Sequence, residues 1–310
     1  MLSYILPFLF LILVVVFIHE YGHYYFARKY GVGVTDFSIG FGKELFGWND
    51  KSGTRWKICA IPLGGYVKFF GDRNVYSQAD HQEILEKYNE EEREKLFILK
   101  PLYQRVLIVF GGPLANFLLA LVIFFSIYTF IGKDFTPAVI NEVQKNSPAM
   151  EGGLKVEDVI LEIDGNKVRS IMEVSKFITM STGDFIDFKI RRSYEELILK
   201  IKPNITMGDD GLGNKINKRI VGIKLGAYKN KINHVKLGPA KALYYAGYEV
   251  YFVSISSLKY IGGMIIGKAD TSQLGGPIRI AKISGQVADI GILAFISMMA
   301  YISISLGLVN

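Results

Sequence analysis

A single cysteine, Cys59, leaves no internal disulfide framework and no thiolate cluster to build on, so the fold must stand without covalent staples. No block of basic residues interrupts the chain. Its 36 Lys and Arg are spread along it with no nucleic-acid motif among them, so the net charge of +7 speaks for lipid headgroups and membrane topology and against nucleic acid. Basic residues are missing altogether before Arg28, and no small-x-small site follows the first apolar run, which argues against a cleaved signal peptide. Histidine is scarce too, with four in 310 residues. Apolar side chains are abundant instead: 50% of residues are hydrophobic and 13% aromatic, too many for an ordinary soluble domain, while 21% charged is too many for helices in lipid alone. A membrane protein carrying a soluble module is the expectation.

Three stretches are long enough to cross a hydrocarbon core of about 30 Å. Residues 4–27 contain one formal charge, Glu20; residues 106–132 contain none between Arg105 and Lys133; residues 290–310 form the third. The excess of Lys and Arg after the first span puts residue 1 outside, residues 28–105 in the cytoplasm and residues 133–289 outside. Segment 242–268 is also apolar, but Glu249, Lys259 and its tyrosines suit an amphipathic helix lying on the outer leaflet. The third span then runs inward and brings Asn310 to the depth of His19 and His23.

The first span closes on "VVVFIHEYGHYYFAR", residues 14–28. His19 and His23, four apart, share one helix face beside Glu20. This H-E-x-x-H spacing offers two imidazoles to Zn²⁺ and a carboxylate able to move the proton of a water. Ionisable groups at that depth are costly, by about 2.5 to 3.5 kcal/mol on insertion scales, and so read as functional. His81 and His234 read as surface residues.

Other stretches frame this motif. "WKICAIPLGGYVKFF", Trp56 to Phe70, reads as two short strands around a Pro-Leu-Gly-Gly turn, with an edge able to take up an extended substrate. Residues 83–96 read as a charged helix with a solvated face. In "GGPLANF", Gly111 and Gly112 suit close helix packing, and Asn116, an amide within an apolar run, borders the site. Between Phe135 and Pro203 a strand, a small-residue turn, the strand "VILEI" with a "DGNKV" turn, a helix near 171–181 and the strand "FIDFKI" make one α+β unit; residues 204–241 support it.

Taken in order, "HEYGH", "AIPLGGYVKFFGD", "GGPLANF", "GGPIRIAKISG" and the terminal "SLGLVN" resemble the bacterial site-2 proteases, intramembrane zinc metalloproteases, and most of all the sigma-E regulator type. That resemblance implies a polytopic α-helical membrane protein with a re-entrant β-hairpin and an inserted periplasmic PDZ domain. The expected partition is a first transmembrane helix at 1–30, hairpin and charged helix at 31–105, a second transmembrane helix at 106–132, and the PDZ domain at 133–205. Support strands and the interfacial helix fill 206–287, and an incomplete third transmembrane helix 288–310. Ser147, Pro148, Ala149, Gly153 and Leu154 fit the PDZ pattern; Glu157 stands where glycine is usual, and one such unit is present where the sigma-E regulator type commonly carries two.

The resemblance implies Zn²⁺ on His19 and His23, Glu20 as the catalytic base, and Gly64, Gly65, Tyr66, Asn116 and Asn310 around the substrate. The family's third ligand is an Asp in an N-x-x-P-x-P-x-L-D-G motif. Asn310 matches the first Asn of that motif, so the chain reads as truncated ahead of the ligand and inactive as it stands. Asp289, at the outer end of the third span, is not expected to substitute. Implied partners are the bilayer and a pre-trimmed transmembrane protein, such as an anti-sigma factor or signal-peptide remnant, in the bacterial inner membrane. The competing reading is a membrane-tethered PDZ scaffold with a vestigial metal site.

Overall fold

The computed structural model describes residues 2–72, 88–209, 215–227, 231–267 and 276–310. The elements run α1 (Leu2–Lys29), β1 (Val34–Asn49), β2 (Arg55–Phe69), α2 (Glu90–Arg93) and α3 (Leu102–Ser126), which continues as a π-turn over Ile127–Ile131. There follow β3 (Lys133–Asp134), β4 (Val139–Val143), α4 (Pro148–Glu151), β5 (Val159–Ile163), β6 (Asn166–Lys167), α5 (Ile171–Met180), β7 (Ile186–Arg192) and β8 (Glu195–Ile201). The chain ends through β9 (Asn204–Asp209), β10 (Lys215–Ile220), β11 (Ile223–Gly226), β12 (His234–Val235), α6 (Pro239–Ile265), α7 (Pro277–Ile290) and α8 (Ile292–Val309). Residues 1–124 with 277–310 form one compact unit and residues 125–276 another.

Among the described residues, three helices are long and apolar enough to cross a membrane, Tyr4–Lys29, Leu102–Ile131 and Ile292–Val309, and all but the last seven residues of the second, 125–131, belong to the first unit. This is a membrane protein. α1 stays uncharged up to Glu20 and ends on Arg28 and Lys29, cations that suit the negative end of the helix dipole. Lipid tails are as apolar as leucine, so helix association there rests on packing and polar contacts. Accordingly Leu11 and Val15 of α1 interlock with Phe295 and Met299 of α8, and a Cβ at Gly22 would run into the carbonyl of Gly111, so α1 and α3 touch backbone to backbone.

The hairpin has the two expected short strands about Pro62–Gly65, but they do not pair with each other: Arg55–Ile58 runs parallel to Asp36–Ile39 of β1 and Gly65–Phe69 antiparallel to it, so β2 reverses direction between them and β1 lies in the middle. β1 carries no strand signal in the sequence because its glycines interrupt any alternation. Gly40 and Gly42, at φ 87° and 84°, let β1 fold back on itself. Phe37 is therefore paired with Val67 on one side and Trp56 on the other, while Trp48 also pairs with Trp56. Among the described residues, the run Gly65–Phe69 is paired with β1 alone.

Two further expectations shift. Of the charged helix at 83–96, only α2 is helical among the described residues, and His81 lies outside them. Residues 277–287, grouped with the support strands on sequence, belong to α7, which packs on α1 so closely that a Cβ at Gly285 would meet Tyr4 Cα at 2.7 Å. Gly291, at φ 143°, separates α7 from α8, so Asp289 sits in α7 and not in the third span.

The second unit is built on a sheet of order β11-β4-β5-β7-β8. β7 alternates in burial, with Ile186, Phe188 and Ile190 facing inward. Asp164 and Gly165 take φ of 47° and 74° in the turn after β5, as an Asp-Gly hairpin demands. α5 covers the sheet with Val174, Phe177 and Ile178. β11, expected to support the module from outside, is its edge strand. α6 joins α5 through a 2.5 Å Lys176–Glu249 ion pair and a Phe177–Phe252 ring contact at 5.0 Å.

Candidate metal centre

α1 presents two faces. Toward α3 it turns His19, Gly22 and His23; toward the hairpin it turns Val16, Glu20 and Tyr24. His23 Nδ1 lies 2.9 Å from the carbonyl of Ile108 in α3. A carbonyl only accepts, so Nδ1 carries the proton and Nε2 keeps its lone pair. That lone pair faces Nε2 of His19 at 3.2 Å.

His19 is anchored by Asn116, whose amide lies 3.0 Å from Nδ1. With Nδ2 donating to Nδ1, the amide oxygen is buried without a partner. A half-turn of the amide lets Oδ1 accept from Nδ1–H instead, which leaves Nε2 of His19 with a free lone pair as well. Two lone pairs then converge, an arrangement that asks for a cation between them. Two ligands about 2.05 Å from one tetrahedral Zn²⁺ stand roughly 3.3 Å apart, so the observed separation suits a shared ion.

Gly112 of α3 completes the cradle. A Cβ there would collide with Nε2 of His23 and lie 2.7 Å from Nε2 of His19, so only glycine leaves this space open. By sequence, Gly111 and Gly112 alike suit helix packing. Gly111 does pack, against Gly22 and Phe26, whereas Gly112 fronts the histidines. Ser303 of α8, unnoticed in the sequence, donates to the backbone carbonyl of Asn116 at 2.9 Å and ties the third span to this point. The carbonyl of Ile108 was equally invisible, because a main-chain acceptor leaves no mark in residue type.

Glu20 is 9% exposed and points to the hairpin. A Cβ at Gly65 would lie 2.9 Å from Glu20 Cγ and 2.7 Å from the carbonyl of Ser38. Gly65 is thus brought directly against the carboxylate-bearing side chain. Gly64, at φ 130°, packs on the Phe41 ring. Tyr66 stacks on Phe41 at 6.2 Å and beneath the Lys57 ammonium at 5.6 Å. Asn116 supports His19, a more definite place than bordering the site. Asn310 is exposed at the end of α8, where its amide donates to Leu306 O at 3.0 Å. It borders an apolar groove of about 620 Å³ with Pro113 and Phe117. His234 is a surface residue whose ring reaches Ile131 O at 3.2 Å.

Among the described residues, no set of three or more His, Cys, Asp or Glu side chains stands together as a metal site. The two histidines fit as part of a coordination set and need at least one further protein ligand.

Residues 7–310 match the model of Peptidase family M50. The chain is 40% identical over 308 residues to a "putative zinc metalloprotease" of Agrobacterium fabrum, covering 99% of this chain and 81% of that protein. It is 33% identical over 288 residues to a "metalloprotease" of Caulobacter vibrioides, covering 91% of this chain and 72% of that one. Among solved structures, the PDZ domain of an SdrC-like protein from Listeria monocytogenes is 26% identical and covers 29% of this chain and 88% of its own, with a TM-score of 0.23.

Proposed function

Since the chain belongs to peptidase family M50, a family of zinc metalloproteases, we propose that it hydrolyses peptide bonds within the transmembrane segments of other membrane proteins. The observation that carries this reading is the pair of converging Nε2 atoms with Glu20 beside them, inside a unit of three membrane-length helices. His19 and His23, with at least one further protein ligand, would hold the zinc, which would supply Lewis-acid chemistry: polarisation of a carbonyl and a water acidic enough to lose a proton near neutrality.

The chain's own residues do the rest. Asn116 and the Ile108 carbonyl hold the two imidazoles in the tautomer that offers Nε2. Glu20 takes the proton from water and later delivers it to the leaving amine. A substrate helix hides its carbonyls in its own hydrogen bonds, so it must first be drawn out; the Gly65–Phe69 run, paired on one side only, would hold the extended segment by strand addition next to Glu20. In this reading the hairpin re-enters the membrane, supported by the exposed apolar side chains Phe46, Trp48, Ile61 and Leu63. The second unit acts as a PDZ-type filter that favours substrates already trimmed outside. Its supporting features are the sheet order, the α5 cover and Ser147 capping α4. The charge asymmetry around the first span supports a cytoplasmic-side active centre in the bacterial inner membrane.

The decisive experiment compares the wild-type protein and Glu20→Gln, purified from membranes, for zinc content and for cleavage of a transmembrane substrate. Near-stoichiometric zinc in both, with cleavage lost only in Glu20→Gln, is the expected result. Absence of zinc from both would overturn the protease reading and favour a membrane-tethered scaffold.

A further inference from the structure

Glu20 has a neighbour one helical turn on that the chemistry above does not use. Tyr24 shares its face of α1, and its hydroxyl donates to Oδ2 of Asp50 at 3.1 Å. The same oxygen accepts from Trp56 Nε1 at 3.0 Å. The other carboxylate oxygen, Oδ1, accepts the backbone N–H groups of Ser52 at 2.8 Å and Thr54 at 3.0 Å. A single carboxylate therefore receives four hydrogen bonds, from α1, from β2 and from the turn between β1 and β2. Charge-assisted bonds of this kind are the strong ones. Burial alone would raise the Asp50 carboxyl, yet the bonds from Trp56, Thr54, Ser52 and Tyr24 hold it below its usual value.

The aromatic packing follows the same line. Phe37 stacks on Trp56 at 4.2 Å and meets Tyr24 edge-on at 5.8 Å, and Tyr24 meets Trp56 at 5.2 Å. Phe37 is in turn the strand partner of Val67, two residues beyond Gly65. A continuous path of hydrogen bonds, ring contacts and strand pairing thus runs from Tyr24 through Asp50, Trp56 and Phe37 to the strand edge that lies against Glu20. The path closes on itself, because Glu20 and Tyr24 are one turn apart on a helix.

We propose that Tyr24, Asp50 and Trp56 form a positioning latch that fixes the Gly65–Phe69 edge relative to Glu20, and so selects which peptide bond of an extended substrate meets the carboxylate. The inference rests on the proposed strand-addition reading. Tyr24 follows His23 in the chain, but the side-chain hydrogen bonds and ring contacts of the three do not involve either imidazole, so the latch acts on geometry and not on metal retention. Its loss moves the edge against the base, and misplacement by about 1 Å costs on the order of a hundredfold in rate.

The test uses full-length protein in proteoliposomes with a transmembrane substrate, comparing wild type, Tyr24→Phe, Asp50→Asn, the double variant and Glu20→Gln. Zinc content, thermal unfolding, kcat, KM and the cleaved bond, by mass spectrometry, are read for each. Tyr24→Phe deletes one hydroxyl and keeps the ring, so it remains informative if Asp50→Asn folds poorly. The latch predicts that Tyr24→Phe and Asp50→Asn each lower kcat by about ten- to a hundredfold and spread cleavage over neighbouring bonds, with zinc content unchanged. It also predicts a double variant no worse than Asp50→Asn alone, since both break one link. Unchanged kcat and a single unchanged cleavage site overturn the latch, as does a loss of activity that only tracks lost zinc or lost fold. Cleavage by Glu20→Gln would instead overturn the reading of Glu20 as the base, and absence of zinc from every form the protease reading itself, both separate outcomes.

Discussion

The two units treat buried polar groups in opposite ways. In the sheet unit they end in closed pairs: Asp158, fully buried, takes Nε and Nη2 of Arg192 at 2.8 Å and the Lys155 N–H at 2.8 Å, and buried Glu249 takes the Lys176 ammonium at 2.5 Å. In the helical unit they hold one another and leave valences over: Asn116 and Ile108 hold His19 and His23, whose Nε2 atoms face each other, and the Asn116 amide oxygen has no partner. Closed pairs stabilise a fold. Polar contacts between helices, where the hydrophobic effect supplies little drive, both assemble the unit and aim its side chains. The difference teaches where chemistry is to be sought: in buried polar groups whose remaining valences point at empty space.

The largest break of this contrast is Gly112→Ala. The new methyl takes the space in front of both Nε2 atoms, so we expect loss of zinc binding and of all proteolysis with the helices still assembled, read by metal analysis against circular dichroism. Asp158→Asn is the matching break in the other unit. It leaves Arg192 facing a neutral amide beside a fully buried site, at a cost of about 3 kcal/mol that hydrogen exchange should localise to β5 and β7, with zinc content untouched. Asn116→Leu removes only the support of His19 and should weaken zinc binding about ten- to a hundredfold, measured by chelator competition. If Asn116→Leu and Asp158→Asn both altered zinc affinity, the division between aiming and stabilising polar groups would fail.

The smallest expected effect sharpens the contrast. Glu157 holds φ 71°, a conformation that strains a side chain with a Cβ. Glu157→Gly should stabilise the sheet unit by about 1 kcal/mol in thermal or denaturant unfolding and leave cleavage unchanged.

Much of this was legible in the sequence for a physical reason. The three spans announce themselves by composition, and His19, Glu20 and His23 stand out because ionisable groups are expensive there. β5, α5 and β7 show through their periodicities. β1 did not, since its glycines trade alternation for bends, and with it the true form of the hairpin was hidden. The supporting layer of the site was hidden more deeply. Ile108 acts through its main chain, Ser303 is one hydroxyl among several in α8, and Gly112 acts by having no side chain, so none carries a distinguishing residue type. Asn116 was visible as an anomaly, but its role needed the histidine's position.

Gly112 also sets a trap for protein engineering. Alanine gains roughly 1 kcal/mol over glycine in a helix interior, so a programme that stabilises helices by replacing their glycines would rank this position among its first substitutions. At Gly111 the same exchange would show itself as a packing defect against Gly22. At Gly112 the cost falls on two imidazole nitrogens, and a screen for thermostability alone would select a more robust helix that has given up its metal.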